Sequence, residues 1–120
     1  MRRPIDLGAT PEEEGRCRFR VWAPEIDRVE VHLTAPEGRV EPLVQDAWGY
    51  HEALLDGVAP GADYRFRLNR DRERPDPASR CQPHGVHGPS RVVRADPPEE
   101  RTGWAGLPLS RFVLYELHVG

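Results

Sequence analysis

The chain of 120 residues is long enough for one domain and too short for two. Its net charge of −3 argues against a nucleic acid or an anionic membrane surface as partner, because both bind basic faces. All 17 basic residues are arginine, but they are scattered and balanced by 20 acids, so no anion-binding face is indicated. No apolar run approaches the ~20 residues that a membrane span needs.

Two cysteines, Cys17 and Cys81, are too few for a disulfide framework. The start of the chain turns polar before an apolar stretch of the kind found in secretion signals develops. These features predict a cytoplasmic protein whose thiols are reduced.

The clearest strand signals are three segments in which apolar and polar residues alternate. Residues 16–22 alternate cysteine, phenylalanine and valine with arginine, which predicts a strand with one buried face. Residues 29–33 place valine and leucine inward and Glu30 and His32 outward. Residues 64–68 show the cleanest alternation in the chain.

Weaker strands are predicted at residues 5–9, 39–44, 48–55 and 92–93. Residues 10–14 resemble a helix start, but Gly15 follows at once and favours a turn. Pro42 restricts its own strand to a sheet edge. Five or six short strands at this spacing, without a convincing helix, indicate an antiparallel β-sandwich.

From residue 69 the sequence changes character and becomes rich in proline, glycine and charge. We expect a sandwich module at residues 1–95, with a long loop at 71–91, and a linker at 96–111. Residues 112–119 form a nearly continuous apolar run, which is typical of a strand buried on both faces in a barrel. The expectation is that residues 112–120 begin a second domain that lies beyond the chain.

Chemical motifs in the long loop do not make a convincing site. Cys81, His84 and His87 have ligand types that zinc accepts, but they lack a fourth ligand at zinc-finger spacing, so no metal site is predicted. Acids that could serve a glycosidase are close only in sequence, within a hydrophilic region: Asp63, Asp71, Glu73 and Asp76. The sequence therefore predicts no catalytic residue and no cofactor in this chain.

Aromatic residues are better candidates for binding, because aromatic planes suit the apolar C–H faces of pyranose rings. The candidates are Trp22, Trp48, Tyr50 and Trp104. Packing inside the domain is the alternative for all of them. Trp22 lies on the face opposite Phe19 and Val21, so it covers a sheet edge or meets a neighbouring domain.

Several stretches resemble known α-glucan enzymes. Residues 19–24 (FRVWAP) and 64–68 (YRFRL), the latter followed by a Pro-Asp-Pro loop, are similar to carbohydrate-binding module family 48. Residues 115–120 (YELHVG) resemble the first barrel strand of glycoside hydrolase family 13. Residues 74–90 are similar to a loop typical of maltooligosyltrehalose trehalohydrolases.

The resemblance implies an immunoglobulin-like sandwich that serves a larger hydrolase as a non-catalytic accessory domain. That enzyme would hydrolyse the α-1,4 bond next to the terminal trehalose of maltooligosyltrehalose, with catalytic carboxylates located after Gly120. The implied partners are the enzyme's own C-terminal (β/α)8 barrel and, through the enzyme, maltooligosyltrehalose or α-glucan.

Glucan-binding members of the module family use two tryptophans and a lysine. Arg65 resembles the lysine, but residues 70–74 offer no tryptophan, so docking on the barrel is the favoured role. The candidate residues are Trp48, Tyr50 and Arg65 for carbohydrate contact, and Trp22 and Trp104 for docking. The alternatives are an autonomous glucan-binding module, the same domain of a branching enzyme, and a protein-interaction sandwich.

Overall fold

The structure, a computed structural model that describes residues 6–94 and 105–120, places nine strands of the described residues in two antiparallel sheets. In chain order they are β1 Gly8–Pro11, β2 Arg16–Trp22, β3 Val29–Ala35, β4 Arg39–Pro42, β5 Val44–Gln45, β6 Tyr50–Asp56, β7 Asp63–Leu68, β8 Arg72–Arg74 and β9 Ser90–Arg91. Two short 3-10 turns are described at Glu13–Gly15 and Leu109–Arg111.

The strands form the two layers of a sandwich. Sheet 1 has the order β1-β2-β6-β5, and sheet 2 has the order β4-β3-β7-β8, with β9 also paired to β7. The chain passes from sheet 2 to sheet 1 at Leu43, which is buried and separates β4 from β5. The all-β, immunoglobulin-like sandwich expected from the sequence is confirmed.

The core lies between the sheets and is built by the predicted alternation. Phe19 of β2 packs edge-on against Tyr64 of β7, with ring centroids 5.0 Å apart, and Tyr64 packs in the same way against Phe66. Cys17 lies beside them as a fully buried free thiol, and burial raises its pKa to about 12. This cysteine is therefore an unreactive core residue.

The loop after β8 is anchored in the core by Asp76. The Tyr64 hydroxyl and the Ala78 backbone N–H both donate to the Asp76 carboxylate, and the Asp76 N–H donates to the Ser90 hydroxyl. Burial raises the pKa of Asp76 above its usual range, and burial also raises the pKa of Tyr64. The loop therefore has a polar anchor whose carboxylate is satisfied by hydrogen bonds.

Arg80 fastens the same loop to sheet 1. Its guanidinium donates to the backbone carbonyls of Leu7 and Ala9, at 3.1 and 2.9 Å. Between them lies Gly8, where a Cβ would approach the Ala78 carbonyl oxygen to 3.1 Å. The predicted long loop is thus ordered, and it connects the edge strand of one sheet to the other sheet.

The weaker strand predictions need correction. β1 lies at 8–11 instead of 5–9, and β9 lies at 90–91 instead of 92–93. β8 falls inside the segment expected to be loop. The segment predicted as one strand at 39–44 is divided between the two sheets. These short edge strands are defined by pairing with longer neighbours, which residue patterns do not encode.

Glu30 is buried although it points away from the core. It lies on the outer face of sheet 2, as alternation predicts, yet it is only 4% exposed. Arg28 and Arg67 donate to its carboxylate and cover it. Long arginine side chains can bury an acid that points away from the core.

The C-terminal segment differs from the sandwich in its secondary structure and exposure. Residues 105–120 contain no strand, and their side chains are exposed. The barrel strand expected at 112–120 stays a prediction. Within the described ranges, no helix is long and apolar enough to span a membrane.

Candidate functional site

The outer face of sheet 1 carries an aromatic patch, formed by the exposed Trp22 and Trp48 and the half-buried Tyr50. Trp22 and Tyr50 are direct cross-strand partners of β2 and β6. Trp48 lies in the turn before β6 and is 80% exposed, and Trp22 is 57% exposed. Exposed tryptophans of this kind are typical of binding surfaces.

The turn that presents Trp48 is held by Asp46. One Asp46 carboxylate oxygen accepts the N–H groups of Trp48 and Tyr50, at 2.8 and 3.0 Å. The Asp46 N–H donates to the Tyr50 carbonyl, and the Gly49 N–H donates to the Asp46 carbonyl. An aspartate that bonds the backbone in this way is a common means of fixing a turn.

A second set of contacts locks this turn to the end of β2. The Trp22 indole N–H donates to the Trp48 carbonyl at 3.1 Å, and the Ala23 N–H donates to the Gly49 carbonyl at 2.9 Å. Gly49 has φ +85°, and a Cβ there would lie 2.6 Å from the Pro24 Cβ. Only glycine fits this position, so the two exposed tryptophans are presented by a rigid corner.

Charged groups border the aromatic patch. The Arg20 guanidinium lies over the Tyr50 ring, 4.6 Å from its centroid. It is also 3.6 Å from a Glu52 carboxylate oxygen and 4.0 Å from one of Asp46. Glu52 in addition accepts a hydrogen bond from Arg18. Aromatic planes and hydrogen-bonding charges therefore alternate on this face.

An apolar cleft of about 270 Å³ lies on the other side of Trp22. It is lined by Leu7, Arg20, Val21, Trp22, Asp76, Pro77 and Ala78. Trp22 thus separates a mostly apolar recess from the mixed surface around Trp48 and Tyr50.

The outer face of sheet 2 has a different character. Glu30 accepts hydrogen bonds from Arg67 and Arg28, and these hold its pKa below the usual range. His32 lies 2.6 Å from a carboxylate oxygen of Glu73. Arg65 donates to the His87 carbonyl at 2.8 Å. The charges on this face are thus engaged with one another or with the loop.

The four acids considered for catalysis also have structural surroundings. Arg91 holds Asp63 through two hydrogen bonds of 2.7 and 3.0 Å, which lower the pKa of Asp63. Glu73 faces His32, Asp76 is bonded by Tyr64, and Asp71 lies exposed in a turn. Within the two described ranges, no three His, Cys, Asp or Glu side chains lie together in a way that could hold a metal ion.

The structure brings some predicted site residues together and separates others. Trp48 and Tyr50 are neighbours, and Trp22 joins them. Arg65 lies between buried Tyr64 and Phe66 and so faces outward from sheet 2, on the opposite side of the sandwich. Trp104 lies outside the described residues.

Sequence reasoning missed Arg20, Asp46 and Gly49, which shape the patch. The signal for the turn is present as Asp46-Ala47-Trp48-Gly49, because aspartate and glycine favour the first and last positions of a type I turn. The position of Arg20 over Tyr50 follows only from the strand register.

Comparison with known proteins gives a consistent result. The family described as carbohydrate-binding module 48 (isoamylase N-terminal domain) matches residues 6–97. A malto-oligosyltrehalose trehalohydrolase of Saccharolobus solfataricus is 33% identical over 97% of this chain and 20% of its own length. One from Deinococcus radiodurans is 38% identical over 95% of this chain and 18% of its own length. The chain therefore spans about a fifth of these relatives.

Solved structures agree on the fold. The crystal structure of a putative alpha amylase from Salmonella typhimurium superposes with a TM-score of 0.70 at 35% identity, over 85% of this chain and 17% of that one.

Proposed function

This chain belongs to the carbohydrate-binding module 48 family, and from that membership we propose that it is the non-catalytic accessory module of a larger trehalose-forming hydrolase. The observation that carries the proposal is the similarity to trehalohydrolases along nearly the whole chain, which spans only about a fifth of their length. The enzyme hydrolyses the α-1,4 bond next to the terminal trehalose of maltooligosyltrehalose. Its catalytic carboxylates belong to a barrel outside this chain.

The module acts by docking on that barrel and shaping one end of the substrate cleft. Trp22 and the apolar cleft beside it, with Leu7, Pro77 and Ala78, provide a surface that suits a protein contact. The exposed apolar run at 112–119 supports a continuation of the chain into a buried element. The charged side chains on the outer face of sheet 2 are already paired with one another. This supports sheet 1 as the side that docks on the barrel.

The activity is tested with the longer polypeptide and with this chain alone. On maltooligosyltrehalose, the longer polypeptide should release trehalose, and the 120-residue chain should release none. A longer polypeptide that transfers glucan branches and releases no trehalose would instead assign the module to a branching enzyme.

Docking is tested in the longer polypeptide by Trp22→Ser, with Val40→Ser on the outer face of sheet 2 as the control. Trp22→Ser should lower the melting temperature of the catalytic domain, because it removes an aromatic anchor from the interface. Equal melting temperatures for the two variants would argue against this docking surface.

Partners and compartment follow from the same proposal. A net charge of −3 supports the absence of nucleic-acid and membrane partners. Free Cys17 and Cys81 support action in the cytoplasm, where thiols stay reduced.

A second candidate function is autonomous glucan binding. The observation that favours it is Trp48, which is both rigidly held and largely exposed.

A further inference from the structure

Trp48 is presented in a way that internal packing does not explain. Its side chain is 80% exposed, so it adds little to the core. Yet its backbone is held by hydrogen bonds to Asp46 and from the Trp22 indole, and Pro24 leaves no room for a Cβ at the next residue, Gly49. A rigidly held aromatic side chain loses little conformational entropy when a ligand binds, which is the general advantage of preorganisation. The arrangement therefore indicates a ligand contact.

The surroundings of Trp48 and Tyr50 indicate the chemistry of that ligand. The Arg20 guanidinium lies over the Tyr50 ring and close to the carboxylates of Asp46 and Glu52. The dry centre of a protein interface is depleted of charged residues, because removing their water is unfavourable. Sugar hydroxyl groups can replace water on such charges while the C–H face of the ring covers an aromatic plane. The mixed surface therefore suits a carbohydrate better than a protein.

A groove extends from Tyr50 along sheet 1. It has a volume of about 480 Å³ and is lined by Arg18, Pro42, Val44, Gln45, Asp46, Tyr50, Glu52, Ala53 and Leu54. From Tyr50 to Leu54 the strand advances four residues, which is about 13 Å. A path of this length accommodates a short run of linked sugars, with the Tyr50 ring at one end.

We propose that Trp48 and Tyr50, with the groove that begins at Tyr50, form a contact site for a run of α-1,4-linked glucose units on the outer face of sheet 1. The choice of α-glucan rests on the proposed function, in which the enzyme acts on that class of substrate. The site is separate from Arg65, which lies on the opposite face and is engaged by the His87 carbonyl. It is also separate from the docking cleft on the far side of Trp22.

The test is a titration of the 120-residue chain with maltoheptaose. Binding is measured by isothermal titration calorimetry and by changes in amide chemical shifts in NMR spectra. We expect a dissociation constant between micromolar and millimolar, with shifts centred on residues 46–54. Trp48→Ala should weaken binding about tenfold or more, as loss of a central aromatic anchor does. Trp48→Phe should retain most of the affinity, because a flat aromatic surface remains.

Arg65→Ala is the matched control, because it removes a long side chain from the opposite face. It should leave the affinity unchanged. A loss of binding with Arg65→Ala but not with Trp48→Ala would overturn the proposal and move the site to sheet 2. Absence of any shift at saturating maltoheptaose would also overturn it, as would equal binding of β-1,4-linked cellohexaose.

The longer polypeptide then identifies the source of the glucan. If the ligand is the enzyme's own substrate, Trp48→Ala should raise KM for long maltooligosyltrehaloses and leave kcat unchanged. If the ligand is storage polysaccharide, Trp48→Ala should abolish co-sedimentation with glycogen and leave KM unchanged. Either result supports the site. Glucan binding that depends on Trp48 in a polypeptide without trehalose release would refute the proposed function alone.

Discussion

The two outer faces of this sandwich use similar residues in different ways. Both carry rows of arginine and acid along their strands. On sheet 2 the arrangement is closed, since Glu30 is covered by arginines and Asp63 is held by Arg91. On sheet 1 the ion pairs stop at Arg20, and beyond them the surface ends in exposed aromatic rings.

The difference separates stability from recognition. A buried acid with two arginine partners stabilises its own sheet but presents little that a ligand can use. A tryptophan on a fixed turn adds little to folding but presents a large apolar surface. We therefore expect substitutions on sheet 2 to change the free energy of unfolding, and those at Trp48 to change binding.

The largest expected effect comes from breaking the corner that supports the aromatic patch. Gly49→Ala places a Cβ 2.6 Å from the Pro24 Cβ, at φ +85°, so both a clash and backbone strain oppose folding. We expect a loss of about 3 kcal/mol, measured by urea unfolding. Gly57→Ala is the control, because Gly57 has φ +70° but no atom within 4 Å. It should cost only about 1 kcal/mol, and equal losses would show that the Pro24 contact is unimportant.

The second largest effect is expected from removing an arginine that covers Glu30 on the outer face of sheet 2. Arg67→Ala removes one of the two arginines that cover Glu30 and leaves a buried carboxylate with a single partner. We expect a loss of stability, measured as a lower melting temperature or urea midpoint, and the partial exposure of Arg67 should keep this loss below that of Gly49→Ala. Arg72→Ala, at an exposed position of β8, should change stability by less than about 0.5 kcal/mol. Glucan affinity should be the same in both variants.

Low pH should affect the contributions of Glu30, on the outer face of sheet 2, and Asp76, in the loop after β8, in opposite directions. The arginines hold the pKa of Glu30 below its unfolded value, so its stabilisation is present above about pH 4.3 and is lost as the pH falls. Glu30→Gln should therefore flatten the acid side of the stability curve. Asp76 has a raised pKa, so its protonated form favours folding and that contribution is lost as the pH rises.

Asp76→Asn should accordingly become more favourable relative to the unsubstituted protein as the pH rises above about 3.9, the ordinary pKa of an aspartate carboxyl group. Urea unfolding at several pH values measures both variants. Parallel curves for Glu30→Gln and the unsubstituted protein would contradict the closed-face interpretation.

The smallest effect on stability is expected at Trp48, the proposed ligand contact. Trp48→Ala should change the free energy of unfolding by about 0.5 kcal/mol or less, because the side chain is mostly exposed. The Trp22 indole should keep its acceptor, since that acceptor is the backbone carbonyl of residue 48. A loss above about 2 kcal/mol would assign Trp48 to packing.

The sequence predicts the long strands well and the short ones poorly. β2, β3 and β7 contribute to the core through strict alternation, and their positions follow from it. β8 and β9 have two or three residues and exist because β7 offers them partners, so no local pattern marks them.

The candidate site is similar in this respect. Residue type was enough to select Trp22, Trp48 and Tyr50. Their grouping, and the separation of Arg65 from them, depend on which sheet each strand joins. The burial of Glu30 depends on Arg28, directly before β3, and on Arg67 of β7, and alternation along β3 does not reveal these contacts.

Neighbouring residues of this turn differ in the substitutions that they allow. Pro24 leaves no room for a Cβ at residue 49, while the side chain at residue 48 extends into solvent. Amino-acid substitutions are therefore tolerated at residue 48 and excluded at residue 49. The side chain at residue 48 can therefore be replaced without disturbing the turn. A fluorescent or photoreactive amino acid at this position would report on the ligand while the sandwich stays unaltered.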